Sequence, residues 1–143
     1  MQNLKEIFVA EMRRSGLRLT ENRLAIFKVL VEAKKPLSIQ EIILAVGDGT
    51  HFTTVYRSIE AMAEVKILRT VSRGFKNLYE LGEKFKPHHH HATCEKCGRT
   101  MEIHDPRLEK LMLELTMRAG LKPTTHQFEL FGICRKCMKN MVK

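Results

Sequence analysis

Apolar residues recur at helical spacing from the start of the chain. Leu4, Ile7, Phe8 and Met12 share one face over residues 4–15, which predicts a first helix. Thr20 is placed to N-cap a second, carrying Leu24, Ile26, Phe27, Val29 and Leu30 and stopping near Pro36. Ser38-Ile39-Gln40-Glu41 reads as a capping box, in which the Ser and Glu side chains each satisfy an orphan amide at a helix start. The short helix it opens ends before Gly47-Asp48-Gly49. A fourth helix begins near Thr53 and runs through Val55, Ile59, Met62 and Val65. The period then changes. Ile67–Val71 and Asn77–Leu81, joined by a turn at Ser72-Arg73-Gly74, read as two strands of a hairpin. Helices followed by a two-stranded wing describe a winged helix-turn-helix, whose recognition helix is the one just before the wing.

Residues 82–87 lose all periodicity and contain Gly82 and Pro87, so they are expected to form a hinge between a winged-helix domain, 1–81, and a second unit, 88–143. In that second unit Arg99–Ile103 reads as a strand, and Asp105-Pro106 as an N-cap with proline at the first helical position. A helix through Leu108, Leu111, Met112, Leu115 and Met117 ends at Gly120, and Gln127–Ile133 forms another strand. So small a unit needs a metal staple or a partner subunit to hold its fold.

Charge changes the picture next. The chain has 143 residues, 25 Lys+Arg against 16 Asp+Glu, and a net charge of +9. The excess is spread: 13 bases face 9 acids in residues 1–82, and 12 face 7 in residues 83–143. Such a surface suits a polyanionic partner, because neutralising phosphates releases counterions, although spread charge is also what an ordinary solvated surface carries. No apolar run approaches the roughly 20 residues of a membrane span. The N-terminus has no secretory apolar core or cleavage site, so a cytoplasmic protein without membrane partner is expected.

Cysteine spacing says more. The four cysteines stand as Cys94-x-x-Cys97 and Cys134-x-x-Cys137. A CxxC turn aims two thiolates at one point, and two such turns complete a tetrahedral cage, so in a reducing compartment the pattern reads as metal ligation. Zinc is the first candidate and iron on the same four thiolates the rival. With no open position, a four-thiolate zinc site is structural. The run His88-His89-His90-His91 precedes the first pair. In an extended strand alternate side chains face opposite ways, so His89 and His91 face one way and His88 and His90 the other, and a single run can serve two metal sites. Glu80, Glu102, His104, Asp105, Glu109 and His126 are further candidate ligands. Mixed imidazole and carboxylate sets suit Fe(II), Zn(II), Mn(II) or Co(II). A metal-dependent hydrolase is disfavoured because no HExxH helix is present. A metal-buffering protein is disfavoured by the intact wing.

A resemblance joins these observations. Gly16-Leu17-Arg18-Leu19-Thr20 with Arg23, Thr54-Val55-Tyr56-Arg57 and Tyr79-Glu80-Leu81 are followed by the histidine run, Cys94-x-x-Cys97-Gly98, and His126 ahead of Phe131-Gly132-x-Cys134-x-x-Cys137. In these residues, over nearly the whole chain, the sequence resembles the ferric uptake regulator family of metal-dependent transcriptional repressors. The resemblance implies an α+β protein with an N-terminal winged helix-turn-helix DNA-binding domain and a small C-terminal α/β dimerisation domain. It implies structural zinc at Cys94, Cys97, Cys134 and Cys137. A regulatory metal, Fe(II) or another divalent ion such as Zn(II) or Mn(II), is implied at Glu80, His89, His91 and Glu102, and a further metal site at His88, His90, Glu109 and His126. Arg18, Arg23, Thr54, Tyr56 and Arg57 are implied as DNA-binding residues of a homodimer on a palindromic, A·T-rich operator, with Arg69, Arg73 and Lys76 as candidate phosphate contacts. No small-molecule substrate and no catalysis are implied. Pro36 stands where members commonly place another sensor histidine, leaving that site to be completed by water or by a residue such as His51. Glutamates at 80 and 102, where peroxide sensors typically carry aspartates, and the absence of a fifth cysteine, which zinc sensors often use, favour iron; zinc sensing is the alternative, peroxide response a lesser one.

Overall fold

A computed structural model of the protein describes residues 2–47, 51–73, 76–124 and 126–141. The chain divides into two units, Met1–Pro87 and His88–Lys143. The expected turn residues Asp48, Gly49 and Gly74 lie outside the described residues, as does the Arg73 side chain.

In the first unit four helices precede a hairpin: α1 (Gln2–Arg14), α2 (Glu21–Glu32), α3 (Ile39–Val46), α4 (Phe52–Glu64), β1 (Leu68–Arg73) and β2 (Lys76–Leu81). The caps follow the local chemistry. Thr20 Oγ1 accepts from the Arg23 N–H at 3.4 Å, and both halves of the Ser38–Glu41 capping box are formed. α4 starts one residue before Thr53, with His51 as an N-cap that makes no side-chain bond. The apolar stripes of the helices bury Phe8, Met12, Ile26, Phe27, Leu30, Ile42, Val55, Ile59 and Met62 together with Ile67, Leu68, Tyr79 and Leu81 of the wing. Phe8 stacks on Phe27 at 4.2 Å between centroids, and Phe85 meets Phe27 edge-on at 5.3 Å. The strands pair antiparallel with Arg69 opposite Glu80 and Val71 opposite Leu78. Leu37 adds a short third edge, exchanging two backbone hydrogen bonds with Tyr79 at 2.9 and 2.7 Å. Gly82 follows the wing where a Cβ would stand 2.3 Å from the Lys66 carbonyl oxygen, so only glycine fits.

The second unit contains β3 (His90–Cys94), β4 (Thr100–Ile103), α5 (Pro106–Arg118), β5 (Glu129–Gly132) and α6 (Arg135–Lys139). Its sheet has the order β4-β3-β5, with β3 antiparallel to β4 and parallel to β5. A parallel neighbour requires a crossover connection, and α5 lies on it. Asp105 caps α5 as expected, accepting from the Arg107 N–H at 2.9 Å. β5 is shorter at both ends than the expected Gln127–Ile133. α6 was not expected, because five residues around a cysteine pair are too few to show a period. α5 buries none of its residues, and Leu111, Leu113, Leu115 and Met117 are all exposed. The buried hydrophobic cluster of this unit, among the described residues, is Cys94, Cys134 and Cys137 with Ile133 against them. No helix among the described residues is long and apolar enough to cross a membrane.

Candidate metal centres and nucleic-acid interface

Pairing of β3 with β5 sets Cys94 opposite Gly132, two residues before Cys134. The two CxxC turns are thereby brought to one end of the sheet, tied by a hydrogen bond from the Glu95 N–H to the Gly132 carbonyl at 2.9 Å. All four Sγ atoms lie within 4.8 Å of one another. Cys97 Sγ and Cys134 Sγ are 3.8 Å apart. Four thiolates around zinc at roughly 2.3 Å have tetrahedral edges of about 3.8 Å, whereas a disulfide needs about 2.05 Å. The thiols are free, and their spacing fits a metal cage. The Cys134 N–H donates to Cys94 Sγ at 3.3 Å. That bond and another from Cys97 lower the Cys94 thiol to about 6. Burial first, then hydrogen bonds from the other thiols, push Cys137 up to about 12. A divalent ion at the centre favours the thiolate at all four positions.

A second cluster joins His88, His90, Glu109 and His126, whose ligand atoms lie within 4.8 Å of one another. His90 Nε2 is 2.5 Å from Glu109 Oε1, His126 Nε2 3.2 Å from Glu109 Oε2, and His88 Nε2 3.1 Å from His126 Nε2. Burial raises the Glu109 carboxyl, but the hydrogen bond to His90 and the neighbouring imidazoles outweigh it and leave the group lowered. Three imidazoles and one ionised carboxylate converging on one point are a donor set suited to a borderline divalent ion.

His89 and His91 face away from that cluster, their rings 4.8 Å apart and nearly perpendicular, both almost fully buried. The histidine run therefore divides alternately, His88 and His90 to one cluster and His89 and His91 away from it, although β3 itself begins only at His90. Glu102 stands opposite His91 across the β3–β4 pair, and its carboxylate is 3.5 Å from His104 Nε2. The His104 ring lies 5.5 Å from that of His89. Glu129, which sequence reasoning missed, stands opposite His91 on β5 with its carboxylate 3.5 Å from His91 Nδ1. Its only signal was an acidic residue in a predicted strand. Asp105, a candidate ligand by type, is used as a helix cap and held by Arg107, whose hydrogen bonds keep its carboxyl at about 2.

Glu80 lies in the first unit, buried on β2 and hydrogen-bonded by Arg69. Arg69, a candidate phosphate contact, is here turned to the Glu80 carboxylate. Pro36 is buried and has no donor atom for a metal.

On α4, Val55, Ser58, Ile59 and Met62 form the buried face, while Thr53, Thr54, Tyr56 and Arg57 are exposed. The Tyr56 ring stacks at 6.2 Å on Phe52, also exposed. A hydrogen bond to Glu60 raises the Tyr56 hydroxyl. Arg18 is exposed, and Arg23 Nη1 donates to the Arg18 carbonyl at 2.6 Å, fixing the bend before α2.

With this geometry in hand, comparison with known proteins is decisive: the profile of the ferric uptake regulator family matches residues 14–131. The chain belongs to the ferric uptake regulator family. A relative named ferric uptake regulation protein, from Neisseria meningitidis serogroup A, is 31% identical over 90% of this chain and 92% of its own length. Among solved structures, the Helicobacter pylori ferric uptake regulator, described as having three functional metal binding sites, superposes with a TM-score of 0.79 at 23% identity over 96% and 93% of the two chains. A zinc uptake regulator solved with zinc and DNA has a TM-score of 0.71 at 22% identity over 99% and 97%. At these identities the two structures establish the fold of this ferric uptake regulator family member, an N-terminal winged helix followed by a small α/β unit.

Proposed function

We propose that the protein is a metal-responsive transcriptional repressor that binds a palindromic, A·T-rich operator as a homodimer. Cys94, Cys97, Cys134 and Cys137 hold structural zinc. Glu80, His89, His91 and Glu102 take the regulatory ion, and His88, His90, Glu109 and His126 a further one. The observation that carries this reading is the coexistence, in one chain, of ready ligand clusters and a wing-flanked α4 that leaves Thr54, Tyr56 and Arg57 exposed. A tyrosine ring packs on a thymine methyl and an arginine takes a base edge or a phosphate; Arg18 enters a narrow A·T-rich minor groove, and Arg23 sets register. The exposed apolar side chains of α5 supply the face that a second copy covers.

In mechanism, Glu80, His89 and His91 would hold a divalent ion that, when bound, would supply a cross-link between the wing and the second unit. Glu80 contributes a carboxylate from the wing's last strand, and His89 and His91 contribute imidazoles from around the start of β3. Fixing that distance and angle would raise the fraction of dimers whose two recognition helices match two half-sites. Iron is the preferred regulatory metal, on the glutamates at 80 and 102 and the four cysteines already committed to one cage. Zinc uptake regulation is the second reading, favoured by the likeness to the zinc uptake regulator solved with zinc and DNA; a peroxide response is the third. The test is operator selection from random duplex DNA, with affinity then measured at matched salt with and without Fe(II), Mn(II) and Zn(II). At least tenfold tighter binding with one of these ions is expected; identical constants throughout reject the reading.

A further inference from the structure

Glu80 is the single carboxylate of the wing strands and is only 5% exposed. A carboxylate so removed from water needs a cation beside it. Arg69, directly opposite on β1, donates from Nε at 2.9 Å and from Nη2 at 2.5 Å to Glu80 Oε1. Lys86 Nζ stands 3.9 Å from Glu80 Oε2. All three residues belong to the first unit. A cavity of about 200 Å³ beside them is lined by Lys35, Glu80, Phe85 and Lys86 among others, and apart from Glu80 its charged walls are cationic. The surroundings of Glu80 within this unit therefore already supply positive charge.

We propose that Arg69 is an internal competitor for the regulatory metal. Its guanidinium is hydrogen-bonded to Glu80 Oε1 and would have to leave that oxygen before a divalent ion could take it. This inference rests on the reading of Glu80 as a regulatory ligand. The register of the wing supports it: a cross-strand pair at 69 and 80 holds the guanidinium against one of the two carboxylate oxygens open to a metal. Two positive charges cannot share that oxygen at close range without mutual repulsion, which a low local dielectric sharpens. The ion pair consequently sets a threshold. Metal must reach a concentration sufficient to displace an effectively intramolecular cation, so the sensor stays silent at trace metal without giving up its ligands.

The test uses the full chain with its zinc retained and Mn(II) as the probe, a poor competitor for thiolates. Free Mn(II) is followed by electron paramagnetic resonance. Arg69→Met keeps the apolar stem and is expected to tighten one class of Mn(II) site about tenfold. Arg69→Lys keeps a charge and should remain near wild type. Glu80→Gln should weaken the same class, and adding Arg69→Met to it should change nothing more. If Glu80→Gln weakens binding but Arg69→Met leaves it unchanged or weaker, the competitor role is overturned while the hinge reading stands. If Glu80→Gln has no effect, the hinge reading itself fails and the competitor role with it. A second measurement needs no variant: the Arg69 Nε–H resonance should exchange slowly without added metal and move on addition of Zn(II) beyond the zinc-cage equivalent. A resonance that stays put at saturating Zn(II) overturns the proposal.

Discussion

Glu41 is recruited twice. Its carboxylate accepts from the Ser38 N–H at 2.8 Å to close the capping box, and from Lys35 Nζ at 2.5 Å. The hydrogen bond from Lys35, then that from the Ser38 amide, holds the carboxyl at about 2, well below its ordinary 4.5. A group lowered on folding stabilises above its unfolded pKa, and that contribution disappears as pH falls through the folded value. Glu41→Gln is therefore expected to melt lower than wild type at pH 7, with the gap closing between about pH 4.5 and 2. Thermal melts across that window check it, and a gap that does not change with pH refutes it. The cap was legible in the sequence because both partners lie within four residues. Lys35 as the second partner was not, since its reach depends on the bend between α2 and α3.

Among elements, α5 is the most exposed in character. Proline at its first position and the Asp105 cap make it a helix by local rules alone. Packing within the chain does not explain its apolar residues, since Leu111 and Leu115, one turn apart, are 52% and 54% exposed. Replacing both with Glu (Leu111→Glu with Leu115→Glu) should leave the helix formed, because Glu is a good helix former, yet abolish the dimer. Light scattering coupled to size exclusion should then report a monomer at micromolar concentration, and operator affinity should drop at least a hundredfold as half-sites are bound singly. Unchanged mass would place the dimer surface elsewhere. The helix and its stripe could be read from periodicity. What could not be read was that the stripe stays uncovered, because a 3.6-residue period marks an apolar face without saying whether the same chain meets it.

For the molecule as a whole, the two units differ in what holds them. Among the described residues, thirteen buried core residues close residues 1–87, whereas the buried hydrophobic cluster of residues 88–143 consists of three thiols and the side chain packed on them. Removing zinc with a chelator under reducing conditions should thus expose the second unit to proteolysis while the first stays protected. Cys134→Ser, which removes one cage ligand, should do the same without chelator. Equal cleavage of both units, or of neither, would contradict this division. Metal-ligand bonds at such a cage would act as folding energy, since the cage does not exist in the unfolded chain.

By itself the sequence determined what nearest neighbours control: helix starts at Thr20, Ser38 and Asp105, the wing, the paired cysteine turns, and the division of His88–His91 between two faces. Each depends on contacts within a few residues or on the two-residue repeat of a strand. Tertiary structure alone decided the partners reached across register. β3 beside β5 brings Glu129 to His91, and β1 against β2 lays Arg69 on Glu80. Register is a property of two segments together, and a slip of one residue would turn each of these side chains to the opposite face.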